Sequence, residues 1–398
     1  MDNGAIPNEG QSILQAAIAL RPEITMRREE LDRERHLPAD LVAKMKAAGI
    51  FRMAMPRDWG GPELDPLMQM RVFEALAIAD TSVAWCACIN VDGGYLTGFL
   101  DQKVAREMYC DIDAPTAAVG SPGGRADRVG SGYRVSGRWP FASGCHNAQW
   151  FVGLCIESES GEPIRLAGAV PMTRWCFLPM SECEIADNWH TTGMRGTGSN
   201  DVIATDRFVP AERTFTVSSL RRYRSGALYR GPLNVLLKAA GPPLGAARAA
   251  IDFMIDEAID KEARPMVMGG KLVPSRKLRE EAFVQDAIGR AEAKLGAARA
   301  YAYEVIGDIW QTYERGEHLS GRQAINLMLV HPEVFGACVQ VVEMVYKARG
   351  GTAIYASCPL DRLLRDVLTL NQHLVNSLRS YGSAGRALLG LAPEVMLA

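Results

Sequence analysis

The sequence predicts an α+β fold, mostly α, laid out as helix, sheet and helix, ending in a four-helix bundle. Three observations carry this. Residues 1–113 show helical spacing, residues 114–220 break into short β-rich runs between glycine-rich turns, and residues 221–398 return to long helical periods. Each range is read as one domain: an N-terminal helical domain, a central β-domain and a C-terminal bundle.

In the first range, Ala16 to Arg35 is rich in Leu, Ile, Arg and Glu, good helix formers. Pro38-Ala39-Asp40 opens a second amphipathic run, Leu41 to Ala48, with Asp40 as its expected cap. Pro56-Arg57-Asp58-Trp59-Gly60-Gly61-Pro62 reads as a turn. Helical spacing resumes over Pro66 to Ala79 and again from Ser82 into Phe99.

Composition changes near Pro115. Tyr133-Arg134-Val135-Ser136, Trp150 to Leu154, Ile164 to Val170 and Asp201 to Ala204 predict closely spaced strands of a small β-sandwich or barrel. The stretch Gly120 to Gly137 is dense in glycine, which allows backbone to approach a ligand. From Pro232 onward the expected helices are Leu233 to Ile259, Leu278 to Tyr313, Gly321 to Ala348 and Cys358 to Ser380. Small residues at Gly289, Ala293, Gly296, Ala297 and Ala300 suit close helix packing.

Composition narrows the function classes. Of 398 residues, 48% are hydrophobic and 23% charged, and the formal net charge is −2. That balance gives no electrostatic case for nucleic acid or an anionic membrane. Arg221-Arg222-Tyr223-Arg224 is read as a solvated loop, with an anion contact as the alternative. No basic, then apolar, leader opens the chain, and no apolar stretch is expected to span a bilayer. Nine cysteines occur without a CxxC pair, so no metal site is expected. Cys145, Cys155, Cys176, Cys183, Cys338 and Cys358 lie in apolar or mixed surroundings, as reduced structural thiols do, and a cytoplasmic setting is expected.

Four ordered stretches carry a family resemblance. They are Leu37-Pro38 through Trp59-Gly60-Gly61, Gly137 through Gly144, Gly193-Met194-Arg195-Gly196-Thr197-Gly198-Ser199-Asn200-Asp201, and Gly350-Gly351-Thr352 through Arg365-Asp366. In order and spacing the chain resembles the acyl-CoA dehydrogenase-fold superfamily over nearly its whole length. Within it, the chain is most similar to oxygenase components of two-component flavin monooxygenases, including phenol and p-hydroxyphenylacetate hydroxylases and dibenzothiophene monooxygenase. The resemblance implies reduced FMN, with FAD possible, and O2 as co-substrate. It implies hydroxylation of an aromatic or heteroaromatic substrate through a C4a-hydroperoxyflavin. It also implies a separate NAD(P)H:flavin reductase and a homotetramer. No G-x-G-x-x-G stands between an evident strand and helix, which fits a chain that does not bind nicotinamide itself.

The same resemblance distributes roles. Ser143 falls where relatives place a hydroxyl on flavin N5, and His373 where an imidazole takes a substrate proton. Phe141, Ser121, Trp189, Arg195, Thr197, Ser199 and Asn200 are expected around the flavin, with Arg264 on its phosphate. Gly350, Gly351 and Thr352 are expected to serve a flavin across a subunit interface. Apart from the resemblance, Trp85 and Tyr95 are read as an aromatic wall for a planar substrate or as core packing, and His146, three residues after Ser143, as packing or a group on the same pocket; with His373 they are the expected substrate-lining residues. His36, His318 and His331 receive no role, and His190, next to Trp189, is left open. The alternative is an acyl-CoA dehydrogenase or oxidase, whose chemistry needs a carboxylate base. Its two usual positions correspond to Leu374 and Asn234, which carry none, leaving Asp92 or Glu343 as substitutes.

Overall fold

The computed structural model describes residues 9–166, 170–216, 220–263 and 265–392. Seven helices come first: α1 (Glu9–Met26), α2 (Arg28–Glu34), α3 (Ala39–Ala47), α4 (Pro66–Ala79), α5 (Thr81–Asn90), α6 (Asp92–Leu96) and α7 (Gln102–Met108). Eight strands follow: β1 (Thr116–Val129), β2 (Gly132–Trp139), β3 (Trp150–Glu159), β4 (Glu162–Pro163), β5 (Thr173–Pro179), β6 (Glu184–Ile185), β7 (Val202–Pro210) and β8 (Thr214–Phe215). Then come α8 (Gly241–Asp260), the hairpin β9 (Met266–Met268) and β10 (Lys271–Val273), α9 (Ala282–Glu314), α10 (Gly321–Arg349), α11 (Pro359–Leu370) and α12 (Arg379–Leu388).

Local chemistry moved several expected boundaries. The first long helix breaks at Arg27, whose guanidinium reaches Asp40 at 2.6 Å and Glu30 at 2.7 Å. Asp40 therefore does not cap α3; Pro38 occupies the cap position, without a side-chain cap bond. Asp65 and Asp80 do cap, accepting from the backbone N–H of Met68 and Val83. Pro242 and Pro243 sit in the first turn of α8, so the chain before it, Pro232–Leu236, is a 3-10 turn rather than the same helix. The expected Cys358 to Ser380 helix is two helices, because Asn371 to Ser377 leaves the axis through the short turn Leu374–Asn376. Arg224 is no anion site, since it clasps Asp58 at 2.7 and 3.0 Å and lies over the Trp59 ring.

The strands form one mixed sheet in the order β6-β7-β2-β1-β3-β5-β8, with β4 paired to β3, rather than two separate layers. The β1–β3 pair is parallel and its neighbours are antiparallel. β5 was not foreseen, and residues 167–169 of the expected Ile164 to Val170 strand lie outside the described residues. Trp139, fully buried, is the wedge of the sheet core. Its ring lies where a Cβ on Gly124 would be 2.2 Å away and one on Gly153 2.7 Å away, so those positions admit only glycine. Between Val119↔Gly153 and Gly124↔Cys155 the register shifts, and Gly120 to Gly123 loop out of the ladder.

The bundle core interleaves small and large side chains: Ala246, Ala250 and Ile251 on α8, Leu295 and Ile306 on α9, Val334 and Val341 on α10. Contrary to the expectation from sequence, α10 holds an apolar stretch long enough to span a bilayer; 67% of that window is buried inside the fold. It is a core helix. All nine cysteines are free thiols.

Gly245 marks the α4–α8 crossing, where an added Cβ would stand 2.3 Å from the Glu74 carbonyl oxygen. Alanine gains about 1 kcal/mol of helix propensity, but a backbone clash of that depth costs about 1–3 kcal/mol or more. Gly245→Ala is therefore expected to lower stability by up to about 2 kcal/mol net, read as a fall in the urea midpoint.

Candidate functional site

Four segments meet beside the end of β2. They are the turn Phe141 to His146, the loop Trp189 to Asn200, Trp85 on α5, and His373 beyond α11. Phe141 has a left-handed backbone (φ 64°) and stands 69% exposed, its ring edge-on to Trp189 at 6.3 Å. A large aromatic held rigidly in solvent is uncommon in a closed surface and offers a planar ligand a face. The looped-out Gly120 to Gly123, with Ser121 exposed, reaches the end of β2 through Gly123, which is packed against the Arg138 carbonyl.

Behind that face runs a buried chain of hydroxyls. The Trp85 Nε1–H donates to Ser143 Oγ at 3.2 Å, Ser143 Oγ meets Ser199 Oγ at 2.7 Å, and Ser199 Oγ meets Thr197 Oγ1 at 2.6 Å. Thr197 Oγ1 donates to the Met194 carbonyl at 2.8 Å, as does Trp189 Nε1 at 3.1 Å. The peptide on the other side of Met194 is held too, the Met194 N–H donating to Asp366 Oδ1 at 2.6 Å. Met194 is left-handed at φ 54°, a conformation that costs a non-glycine residue of order 1 kcal/mol and persists only when clamped. Asp366 is in turn buried with Arg362, which also binds Asp80 at 2.7 Å and Asp32 at 3.1 Å. Burial raises the Asp366 carboxyl pKa, and the Arg362 charge opposes that rise. Asp366 served in the sequence only as part of a matching motif; its partner Met194 lies 172 residues away, so no local pattern could reveal the bond.

His373 approaches from the bundle side. Its ring meets Trp85 at 4.9 Å in an edge arrangement, and its Nδ1 accepts the Val375 N–H at 3.2 Å. Desolvation pushes its pKa down to about 4, so the ring is neutral at physiological pH with its proton on Nε2. The ring remains half-buried, keeping an edge open. His331 on α10 is fully enclosed, binds the Leu236 carbonyl through Nε2 at 2.9 Å and is likewise lowered to about 4 by burial. Trp85, Trp189, Met194, Phe335, Leu370 and Val375 form the apolar cluster between the two histidines and the loop.

The other expected residues are spread more widely. His146 binds Asn200 Oδ1 at 2.9 Å and stacks on His36 at 4.6 Å, on a cleft bordered by Arg35 and Asp187. Burial lowers the His146 pKa. His190 lies within 3.0 Å of Arg35. Arg195 gives its guanidinium to the carbonyls of Asp32 and Thr191. Tyr95 is fully buried beneath Lys238, which pairs with Asp92 at 2.6 Å. Gly350 and Gly351 are exposed at the end of α10, and Thr352 accepts from Arg349. Arg264 lies outside the described residues. At the two base positions, Asn234 donates to the Ala227 and Leu228 carbonyls and Leu374 is 73% exposed. Glu343 pairs with Lys347 at 3.5 Å.

A helix–sheet–helix chain with a ring-sized aromatic face over a buried hydroxyl fits the flavoprotein class of the acyl-CoA dehydrogenase fold. Residues 11–104 match the family described as "Acyl-CoA dehydrogenase, N-terminal domain" and residues 237–378 the one described as "Acyl-CoA dehydrogenase, C-terminal domain". Indole-3-acetate monooxygenase of Pseudomonas putida is 30% identical over 369 residues, 92% of this chain and 90% of that protein. Flavin-dependent monooxygenase, oxygenase subunit HsaA of Mycobacterium tuberculosis, is 26% identical over 97% of each chain. The structure of XiaF from a Streptomyces species, in complex with FADH2 and glycerol, superposes with a TM-score of 0.88 at 22% identity and 97% coverage of both, which shows the fold. The chain belongs to the acyl-CoA dehydrogenase family, among its flavin-dependent monooxygenases.

The buried histidines set a pH dependence of stability. A histidine depressed below its ordinary 6.5 gives full stability above that pH and loses it as pH falls towards the folded value, because the unfolded chain then binds more protons. The fully enclosed His331 alone is worth roughly 3 kcal/mol between pH 6.5 and 4. Denaturant titrations at pH 7 and pH 4.5 are expected to show stability falling with acid, with a flatter slope in His331→Gln.

Proposed function

We propose that the chain is the oxygenase component of a two-component system that hydroxylates an aromatic or heteroaromatic substrate. The contiguity of Ser143, Trp85 and His373 carries the reading: a hydroxyl, an indole and a neutral imidazole stand in one contact chain beside an apolar cluster. The residues present fit a planar ring with a polar edge. Phe141 and Trp189 would cover its face, the Gly120 to Gly123 backbone and Ser121 its rim, and Ser143 its central nitrogen. A reduced flavin, FMN or FAD, supplies activation of O2 at its C4a carbon when bound. A separate NAD(P)H:flavin reductase delivers it, and the substrate is a small aromatic molecule. The exposed Gly350-Gly351-Thr352 turn suits contact with the flavin of a neighbouring subunit in a cytoplasmic homotetramer.

The protein's own part is to orient and to exclude water. With Nδ1 engaged by the Val375 N–H, neutral His373 presents Nε2–H as a donor. We assign it to a polar atom of the substrate, a phenolic oxygen for example, where it steadies the developing negative charge. Proton abstraction by the same ring would need the Val375 bond broken. Trp85 and Leu370 fill the wall behind the ring and limit water.

Supplied with a reductase, NADH, flavin and ¹⁸O2, the protein is expected to place one ¹⁸O atom in a hydroxylated product of indole-3-acetate or resorcinol. Desaturation of an acyl-CoA thioester without oxygen incorporation would reverse the assignment. His373→Ala is expected to lower hydroxylation at least about tenfold, while reduced flavin is still consumed and the oxygen leaves as hydrogen peroxide.

A further inference from the structure

We propose that Leu236 is the side chain that sets which aromatic ring is accepted beside His373, and that His331 is its positioning residue. This rests on the reading above that an aromatic substrate lies against His373. The apolar cluster next to that histidine is closed almost everywhere: Trp85, Trp189, Met194, Phe335, Leu370 and Val375 are all buried. Two further side chains packed on it, Ile89 and Leu236, keep part of their surface open. They are where an incoming apolar ring meets the cluster. Ile89 belongs to α5, whose position its helix and its Asp80 cap fix. Leu236 stands on the short 3-10 turn Pro232–Leu236, which has no long hydrogen-bond ladder of its own.

Side-chain bonds at three successive residues replace that ladder. Asn234 donates through Nδ2 to the Ala227 and Leu228 carbonyls at 3.0 and 3.2 Å. The Val235 carbonyl accepts from Lys238 Nζ at 2.5 Å, and Lys238 is itself tied to Asp92 of α6 at 2.6 Å. The Leu236 carbonyl accepts from the Ala239 N–H and from His331 Nε2, each at 2.9 Å. A carbonyl only accepts, so His331 carries its proton on Nε2. On α10 His331 lies one helical turn before Phe335 of the cluster, which brings the turn and the cluster to one helix face. His373 is near enough to the His331 ring to oppose its protonation. Asn234, Lys238 and His331 are all buried, so water does not replace a lost bond. The wall that Leu236 forms is therefore stiff. A stiff apolar wall discriminates by size, one methylene more or less altering kcat/KM by about tenfold or more.

The test compares indole-3-acetate, with two fused rings, and resorcinol, with one. Both are measured by dissociation constant in the presence of FMN and by kcat/KM in the reductase-coupled reaction. Leu236→Ala is expected to shift the ratio of the two towards indole-3-acetate by at least about tenfold, and Leu236→Phe to shift it towards resorcinol. His331→Leu leaves the Leu236 carbonyl with one donor fewer and lets the turn give way. It should move the ratio as Leu236→Ala does, through KM rather than kcat. His331→Gln keeps an N–H for the same carbonyl and should restore the wild-type ratio; equal effects of the two variants would strike His331 as a positioning residue. Should a Leu236 variant not fold, the His331 pair decides. Unmoved ratios in both Leu236 variants, with native circular dichroism, would overturn the proposal. If His373→Ala still depresses hydroxylation of either aromatic in that case, the underlying reading stands. If wild-type protein neither binds nor turns over either aromatic, reading and proposal fall together.

Discussion

One residue, Met194, joins the parts of the molecule that make the site. Its N–H is bound by a carboxylate from α11 and its carbonyl by an indole and a hydroxyl of its own loop. Because the residue is left-handed, the loop has no low-energy alternative once the clamp closes. The bundle therefore sets where Thr197 and Ser199 stand, and through them Ser143 on the sheet. Asp366 needs a cation nearby to be tolerated in the interior, and Arg362 provides it while also drawing in Asp80 from the helix cap and Asp32 from α2. Helices from both ends of the sequence are tied to one loop by three carboxylates and a guanidinium.

Charge in this protein thus falls into two kinds. The Arg362 cluster and the Lys238–Asp92 pair are internal fastenings; burial raises Asp92 to about 6 even beside its lysine. The contact chain around Trp85, by contrast, is made of groups that stay neutral: indoles, hydroxyls and an imidazole depressed to about 4. A neutral wall suits a substrate that must keep water away from its reacting edge, and it separates the orienting role proposed for His373 from the anchoring by the carboxylates.

The layer order and the Gly193 to Asp201 loop were legible in the sequence because glycine spacing and hydrophobic period are local signals. Ser143 and His373 stood out only through resemblance and Trp85 only as one aromatic among several, and the structure brings those three into one contact chain. The links between them were not legible. The bonds from Trp85 to Ser143 and from Met194 to Asp366 span 58 and 172 positions, distances over which a single sequence carries no periodic trace. The break at Arg27 escaped notice for a similar reason: it depends on Asp40 reaching back across the turn, and Asp40 by itself reads as a cap. β5 was missed because its Trp175-Cys176-Phe177-Leu178 run is flanked by prolines at 171 and 179, which disguise a strand as loop.

The apolar length of α10 bears on how the chain is made. A bare helix of that hydropathy would partition into lipid, or stick to another nascent chain, if it left the ribosome before its partners. Its two long neighbours in the core, α8 and α9, are both translated ahead of it, so the groove it fills has already been synthesised when α10 emerges. The order of synthesis thus gives α10 a groove to dock in, which a circular permutant that placed α10 first would lack.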